Sequence, residues 1–560
     1  PDVLDEFRHG RITLAPGARG QSAIATAAAQ PLALLLGVTA LVLLITCVNI
    51  ANLLLLRGAA RSGEMTIRAS LGATRSRLVA QLVTEVSLLA VGGGVASLPV
   101  AYAVFTVLTG FLPAPLAGAL GVELGPTAAL IAAGAALVTL IVFGVAPVLH
   151  AARTDAAIVI KGQALHTVGA RGAARLRNVL AAVQIAFSAM LLVLAGMFAK
   201  SLANVDSVEL GLDTDALVTF TVSPRRNGYS VERSTQIFDR IEAELAAQPG
   251  VASVASSRIL LLDGRRWSAG PLTIDGIDQE PVTDVIVNAV SPGFFRTLSI
   301  PLLRGRDFAM SDAPDATPVA IVNESFVRRL GLAGDALGKR IRVGRNSALE
   351  IVGITADVRH TNVKDATAPQ FFVPRHQYTN LDAASFYVRG TVDEAALLEL
   401  VPRVLTGVGA ALAVNHLETL RELVDNNVYL DRLVTLLATA FAVLATLLAA
   451  IGLYGVLSYN VRQRTREIGL RLALGATPQN LRRMVLRQVA GIALLGLTIG
   501  LVGALLVGRA AEALLFGLSA YDPTVVVGAV AVLGAVVFAA GFLPSRSAAR
   551  VAPMEALRYD

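Results

Sequence analysis

Charge is what this sequence has little of. Asp, Glu, Lys and Arg make up 16% of its 560 residues, where soluble domains carry about 25%. Hydrophobic residues make up 54%, and mean hydropathy is +0.63. A chain so poor in charge places a large part of itself in lipid. Cysteine is nearly absent too: the single Cys47 lies inside an apolar run, so no intrachain disulfide and no thiolate metal site can form. The six histidines, His9, His150, His166, His360, His376 and His416, are scattered without ligand spacing. The centres of the apolar runs hold essentially no charged residue, which argues against the ion or proton relay of a secondary transporter or self-contained channel. No nucleotide-binding loop is present either. Gly334-Asp335-Ala336-Leu337-Gly338-Lys339-Arg340 has one residue too few between its glycines, and Arg340 stands where Ser or Thr must meet Mg²⁺. A turn leading into a strand accounts for it. The chain opens at Pro1 without an initiating Met, a signal peptide or a long apolar run before position 31, so a cut N-terminus is expected.

What is present is apolar length. Seven runs approach the ~20 residues that cross a bilayer: 32–56, 84–112, 127–149, 178–200, 432–458, 488–510 and 524–543. Gly and Ala are dense in them, as at Gly92-Gly93-Gly94 and in the Gly491, Gly496, Gly500 series, which suits close helix packing. The net charge of +7 is what positive-inside loops produce, and no nucleic-acid partner is inferred from it. Arginines crowd the links after the first, third and fifth runs, and the links 113–126 and 511–523 are nearly free of them. The basic links are therefore cytoplasmic, and residues 1–31 and 201–430 lie outside.

Two of the cytoplasmic links say nearly the same thing. Glu64-Met65-Thr66-Ile67-Arg68-Ala69-Ser70-Leu71-Gly72-Ala73-Thr74 and Glu467-Ile468-Gly469-Leu470-Arg471-Leu472-Ala473-Leu474-Gly475-Ala476-Thr477 lie 403 positions apart and agree at six of eleven positions. Such a separation marks a duplicated unit rather than a solenoid. Glu64/Arg68 and Glu467/Arg471 are i,i+4 pairs in the favourable order. Gly72 and Gly475 sit where a helix end wants a left-handed residue, and Ala73, Ala476, Thr74 and Thr477 lead into a second helix capped by the threonines. Pro478 falls at its first position. The predicted shape is helix, sharp corner, helix, twice. An interfacial helix with snorkelling arginines explains the Arg and apolar residues; a docking element for a cytoplasmic partner also explains a corner of fixed shape in both halves.

The repeat extends outward. At the same offset Asn49 aligns with Gly452, Asn52 with Gly455 and Glu85 with Gln488, and Pro147–Arg153 matches Pro544–Arg550 in spacing. Asn49, Asn52 and Gln184, polar residues inside apolar helices, are read as interhelical hydrogen-bonding groups or as groups with a substrate or conformational role. The expected domains are a remnant of a first extracytoplasmic domain (1–31), a three-helix membrane unit (32–153), a cytoplasmic linker (154–177), a further membrane helix (178–200), a large outer domain (201–430) and a second three-helix unit (431–560). Within the outer domain, strands are predicted at Leu217–Val222, Val251–Ser256, Asp284–Val290, Val319–Val322, Leu349–Thr355 and Phe386–Arg389. Helices are predicted at Val231–Ala247, at Glu394–Leu405 behind a capping box Thr391-x-x-Glu394, and at Leu417–Asn426, making the domain α/β or α+β. Trp267 reads as a ligand anchor or as half-buried packing.

The paired stretches from Arg61 and Arg464 resemble the permease signature shared by FtsX and the macrolide exporter MacB. Ser291-Pro292-Gly293-Phe294-Phe295, Gly305-Arg306-Asp307-Phe308, Val319–Asn323, Leu337–Ile341 and Ile351–Ile354 resemble the periplasmic core domain of MacB-type permeases. Two units in one chain are similar to duplicated permeases of the acidobacterial orphan type, here with the front of the first unit missing. The resemblance implies an α-helical integral membrane protein of a bacterial plasma (inner) membrane with about seven spanning helices and an extracytoplasmic α/β domain. It implies the permease subunit of an ABC transporter of the mechanotransmission class, not itself an enzyme. It implies a separate ATPase dimer supplying ATP and Mg, docked on Glu64–Thr74 and Glu467–Thr477, and no cofactor bound by this chain. Export of a lipophilic compound, peptide or lipoprotein follows, with a periplasmic adaptor as partner, or, in the alternative, non-transporting control of a cell-wall hydrolase.

Overall fold

Long apolar runs with small residues favour helix in lipid, where every backbone group must be satisfied within its own segment, and the computed structural model is built on such helices. It describes residues 23–60, 64, 67–68, 71, 73–110, 125–139, 141, 166–276, 280–332, 336–344, 348–378, 381–409, 412–463, 470–471, 474, 477–519 and 521–548. The chain divides into two compact units, one of Pro1–Leu202 with Leu430–Asp560, the other of Ala203–Tyr429.

The first unit consists of helices α1 (Ala23–Ala60), α2 (Arg75–Gly110), α3 (Pro126–Thr139) and most of α4 (His166–Asp206), followed later in the chain by α10 (Tyr429–Gln463), α11 (Pro478–Ala511) and α12 (Pro523–Ala548). Six spans among the described residues are long and apolar enough to cross a membrane, where the sequence predicted seven. The third predicted run, 127–149, is helical through Thr139, and most of its remainder lies outside the described residues. The predicted small-residue packing holds at particular glycines. A Cβ on Gly496 would lie 2.5 Å from the Ala182 carbonyl oxygen of α4, and one on Gly500 would lie 2.4 Å from that of Ala186. Gly491 and Gly92–Gly94 have nothing within 4 Å at that position. Val38, Val42 and Ile45 of α1 pack with Leu191 and Ala195 of α4 and with Ala438, Ala442 and Ala445 of α10. Toward the C-terminal end of α4, Lys200 donates to Asp522 at 2.6 Å and to the Thr524 hydroxyl at 2.9 Å.

The second unit is one mixed sheet with helices. Its strands are β1 (Leu217–Val222), β2 (Val251–Ser257), β3 (Leu272–Ile274), β4 (Ile286–Val290), β5 (Leu302–Gly305), β6 (Val319–Asn323), β7 (Arg340–Val343), β8 (Leu349–Thr355), β9 (Gln370–Pro374), β10 (Ala384–Gly390) and β11 (Val414–Thr419). Their order is β11-β1-β10-β2-β4-β9-β6-β8-β7-β3, with β5 on β8. Helices α5 (Val231–Ala246) and α8 (Glu394–Val408) cover the β1–β10 region through Phe238, Ile241, Leu397 and Val401. The helices α6 (Phe294–Thr297), α7 (Glu324–Arg329) and α9 (Leu420–Asn427) are short. All six predicted strands form, with small shifts of their ends.

Two local readings are corrected. The predicted capping box Thr391-x-x-Glu394 does not form. Asp393 is the N-cap of α8 without a side-chain bond, because Glu394 accepts instead from the Ala216 backbone N–H at 3.1 Å. The capping box that forms is Thr419 with Glu422, opening α9. The predicted helix Leu417–Asn426 accordingly begins as strand, since Val414–Thr419 pairs with β1.

The motifs quoted for the resemblance turn out to be structural joints. Gly305 has φ 82°, and a Cβ there would lie 2.2 Å from the Val352 carbonyl oxygen, so only glycine closes this β5–β8 pairing. Arg306 beside it grips Asp312 with two bonds of 2.8 Å, and Phe308 is buried. Asn323 accepts at 2.9 Å from both Phe326 N and Gln370 N, capping α7 and tying β6 to the start of β9. The Gly338–Arg340 stretch makes a turn into β7, Gly338 N donating to Ile351 O at 2.9 Å.

Candidate coupling site

The two corners can be followed from the backbone upward. In the first, Leu71 N donates to Ile67 O and Ala73 N to Arg68 O, both at 3.0 Å. The second of these spans six residues and is the closing bond of a Schellman helix end. In the second corner Leu474 N donates to Leu470 O, also at 3.0 Å. Each corner hands on to a helix, α2 or α11. Thr477 caps α11, its side chain accepting from Asn480 N. Thr74 makes the same carbonyl bond, accepting from Arg77 N at 3.1 Å as Thr477 accepts from Asn480 N at 3.0 Å, while its hydroxyl lies 3.2 Å from that of Ser76. Gly72, Glu467, Gly475 and Ala476 lie outside the described residues.

Side chains lock each corner to the helix behind it. Glu64 and Arg68 form the predicted ion pair at 2.5 Å. Arg68 also donates to Gln81 of α2 at 2.8 Å, and Gln81 donates to Glu85 at 3.2 Å. In the second corner Arg471 reaches Met484 of α11 at 2.9 Å. Gln81 and Met484 are equivalent positions of the repeat, so both arginines brace the same place on the following helix, one through an amide and one through a thioether.

Each corner also exposes apolar side chains. Ile67 and Leu71 are 62% and 81% exposed, and the equivalent Leu470 and Leu474 are 52% and 79% exposed. The charge and turn pattern of the sequence points to Glu, Arg, Gly and Thr and does not single out these four side chains. The available signal was that Leu71 and Leu474 are identical in the two copies and stand four residues after a retained apolar position.

Within the spanning helices, Asn49 and Gln184 approach each other around Gly452. Asn49, Asn52 and Gln184 are buried. Asn49 donates to Leu448 O at 3.4 Å. The side-chain amide atoms of Asn52 and Gln184 have no protein hydrogen-bond partner, which corrects the interhelical-bond reading for those two. In the outer domain, Trp267 is half-buried. The Arg258 guanidinium lies 3.6 Å above its ring, and Tyr378 meets it edge-on at 5.1 Å, the packing alternative of its two readings.

Comparison with known proteins agrees with this architecture. The FtsX-like permease C-terminal family model matches residues 36–156 and again 439–553, and the MacB-like periplasmic core domain model matches 179–405. The chain is an FtsX/MacB-type permease: two FtsX-like membrane units in one polypeptide with a MacB-like periplasmic core domain. It is a multi-pass inner-membrane protein with an extracytoplasmic segment. Among similar proteins are a probable export ATP-binding/permease protein MacB of Pseudomonas entomophila (strain L48), 28% identical over 50% of this chain and 42% of the relative, and a macrolide export ATP-binding/permease protein MacB of Shewanella oneidensis, 29% identical over 49% and 43%. The chain thus spans less than half the length of these relatives. The periplasmic region of MacB from Actinobacillus actinomycetemcomitans aligns with 40% of this chain and 98% of its own, at 15% identity and a TM-score of 0.28.

Proposed function

We propose that the chain is the permease subunit of an ABC exporter that works by mechanotransmission. A separate ATPase dimer, which binds ATP and Mg, docks on the corners Glu64–Thr74 and Glu467–Thr477. The observation that carries this reading is the matched pair of exposed apolar side chains, Ile67/Leu71 and Leu470/Leu474, on corners braced from behind by Arg68 and Arg471. Apolar anchors on a rigid support, repeated twice, suit a two-fold partner. Closure of that partner pushes the corners and the helices that continue them. On the second side α11 bears on α4 at Gly496 and Gly500 with backbone nearly touching side chain and backbone. Such a contact passes displacement on with little slack. The chain segments α4 and α10 lead into and out of the extracytoplasmic domain, whose reshaping expels a lipophilic compound, peptide or lipoprotein, with a periplasmic adaptor as a further partner.

The test is co-purification of the full chain with an ATPase, followed by ATP hydrolysis with and without candidate cargo. An exporter shows a rate raised by lipophilic compounds or peptides. A chain that captures an extracytoplasmic cell-wall hydrolase, with a rate indifferent to cargo, is a regulator instead. Association with no ATPase sinks both readings.

A further inference from the structure

Between α4, α11 and α12 runs an apolar cleft of about 440 Å³, walled by Ile185, Leu486, Ala490, Ala493, Gly534 and Phe538 among others. Its α11 wall recurs at helical spacing, and continuing that spacing toward the start of α11 brings Arg483 and Arg482 three and four residues before Leu486. Both arginines are exposed, and they stand on either side of the line of the cleft. The extracytoplasmic position of residues 203–429 puts this beginning of α11 in the cytoplasmic leaflet. Neither α11 nor α12 contains an acidic residue, and α4 has only Asp206, at its far end. No acidic side chain of these three helices therefore stands against the two guanidinium groups.

We propose that this cleft is a binding site for an anionic phospholipid of the inner leaflet, its acyl chain in the groove and its phosphate on Arg482 and Arg483. An apolar slot within the hydrocarbon, ending at headgroup depth in two arginines with no acid near them in the three helices that wall it, matches a lipid in both shape and charge. The site has no counterpart in the ATPase-docking reading and does not depend on it.

The experiment uses the purified full chain and mass spectrometry of retained lipid after exchange into vesicles of phosphatidylglycerol and phosphatidylcholine. The wild-type chain retains phosphatidylglycerol preferentially. In Arg482→Gln/Arg483→Gln that preference falls by roughly ten- to thirty-fold, while Arg482→Lys/Arg483→Lys keeps most of it. Gly534→Leu, whose side chain enters open space because nothing lies within 4 Å of its Cβ position, fills the groove and lowers retention of the lipid itself. Equal retention of the two lipids by the wild type overturns the proposal, as does a preference unchanged in the double Gln variant. Displacement of the lipid by millimolar inorganic phosphate overturns it too, since the groove would then contribute nothing.

Discussion

Asn49 and Gly452 correspond in the two repeats, and they also face each other. A Cβ on Gly452 would lie 3.1 Å from Asn49 Oδ1 and 2.5 Å from Gln184 Oε1, while Asn49 donates to Leu448 O one turn before Gly452. The first helices of the two sequence repeats, α1 and α10, therefore meet at equivalent positions, with glycine on one side making room for the amide on the other. The duplication read along the sequence is thus also a contact in the bundle.

Beside this contact, Asn52 is fully buried with neither amide atom hydrogen-bonded to protein. Leaving such a group buried costs about 1–3 kcal/mol. Asn52→Leu should therefore raise the thermal midpoint of the helical unit, read by far-UV circular dichroism in detergent. A lowered midpoint would show that Asn52 has a partner in the folded protein. If the variant is more stable yet couples ATP hydrolysis less well, the amide is retained for a second conformation of the bundle.

Gly500 has no such freedom. Its Cβ would meet the Ala186 backbone carbonyl at 2.4 Å and the Ala189 Cβ at 2.8 Å, and backbone cannot rotate away as the end of Gln184 can. Gly500→Ala should cost about 1–3 kcal/mol and loosen α11 from α4. Gly528→Ala on α12, with nothing within 4 Å, is the control and should be neutral or slightly stabilising through helix propensity. Equal midpoints for the two variants would refute the tight packing of α11 on α4.

His360 makes the outer domain acid-sensitive. It is buried, and loss of hydration holds its imidazole down from 6.5 to about 4. The unfolded chain takes up this proton below 6.5 and the folded chain only near 4. Stability is therefore fully present above 6.5 and falls as pH drops through that window, by about 1.4 kcal/mol per unit. Trp267 is the only tryptophan, so its fluorescence in the full chain reports this domain alone. Urea midpoints should fall between pH 6.5 and 4.5 in the wild type and fall less steeply in His360→Leu. Parallel pH profiles would show that His360 is not the group responsible.

The sequence disclosed whatever rests on local pattern. Six strands were legible because runs such as Leu217–Val222 are buried throughout, and the corner bonds because Glu-x-x-x-Arg and Gly-Ala-Thr act within a few residues. The strands that escaped are those whose identity is set by distant partners. Gln370–Pro374 begins polar and ends in proline, yet is wholly buried because β4 and β6 flank it. Val414–Thr419 looks like a helix entry until β1 claims it. The capping box was misassigned for the same reason: Glu394 had a nonlocal taker in Ala216. At the candidate site, charge and turn chemistry drew attention to Arg68 and Arg471, whereas exposure, which no local pattern encodes, singled out Leu71 and Leu474.

Those two leucines allow the docking proposal to be tested apart from folding. They are 81% and 79% exposed, so substituting them removes almost no internal packing, and the midpoint of the bundle should move by less than about 0.5 kcal/mol. If they anchor the ATPase, each Leu→Asp replacement should weaken its association by about tenfold, as the loss of an interface anchor does. Leu71→Asp with Leu474→Asp should weaken it by roughly the product, because the two leucines stand 403 positions apart on separate corners and would act as independent anchors. Arg68→Glu with Arg471→Glu should also weaken association, but by a different route. It breaks the braces to Gln81 and Met484 and leaves membrane insertion intact. Unchanged ATPase affinity in the double Leu variant would mean that the exposed pairs rest in the headgroup region as interfacial anchors, and the corners would then return to the simpler role of turning the chain.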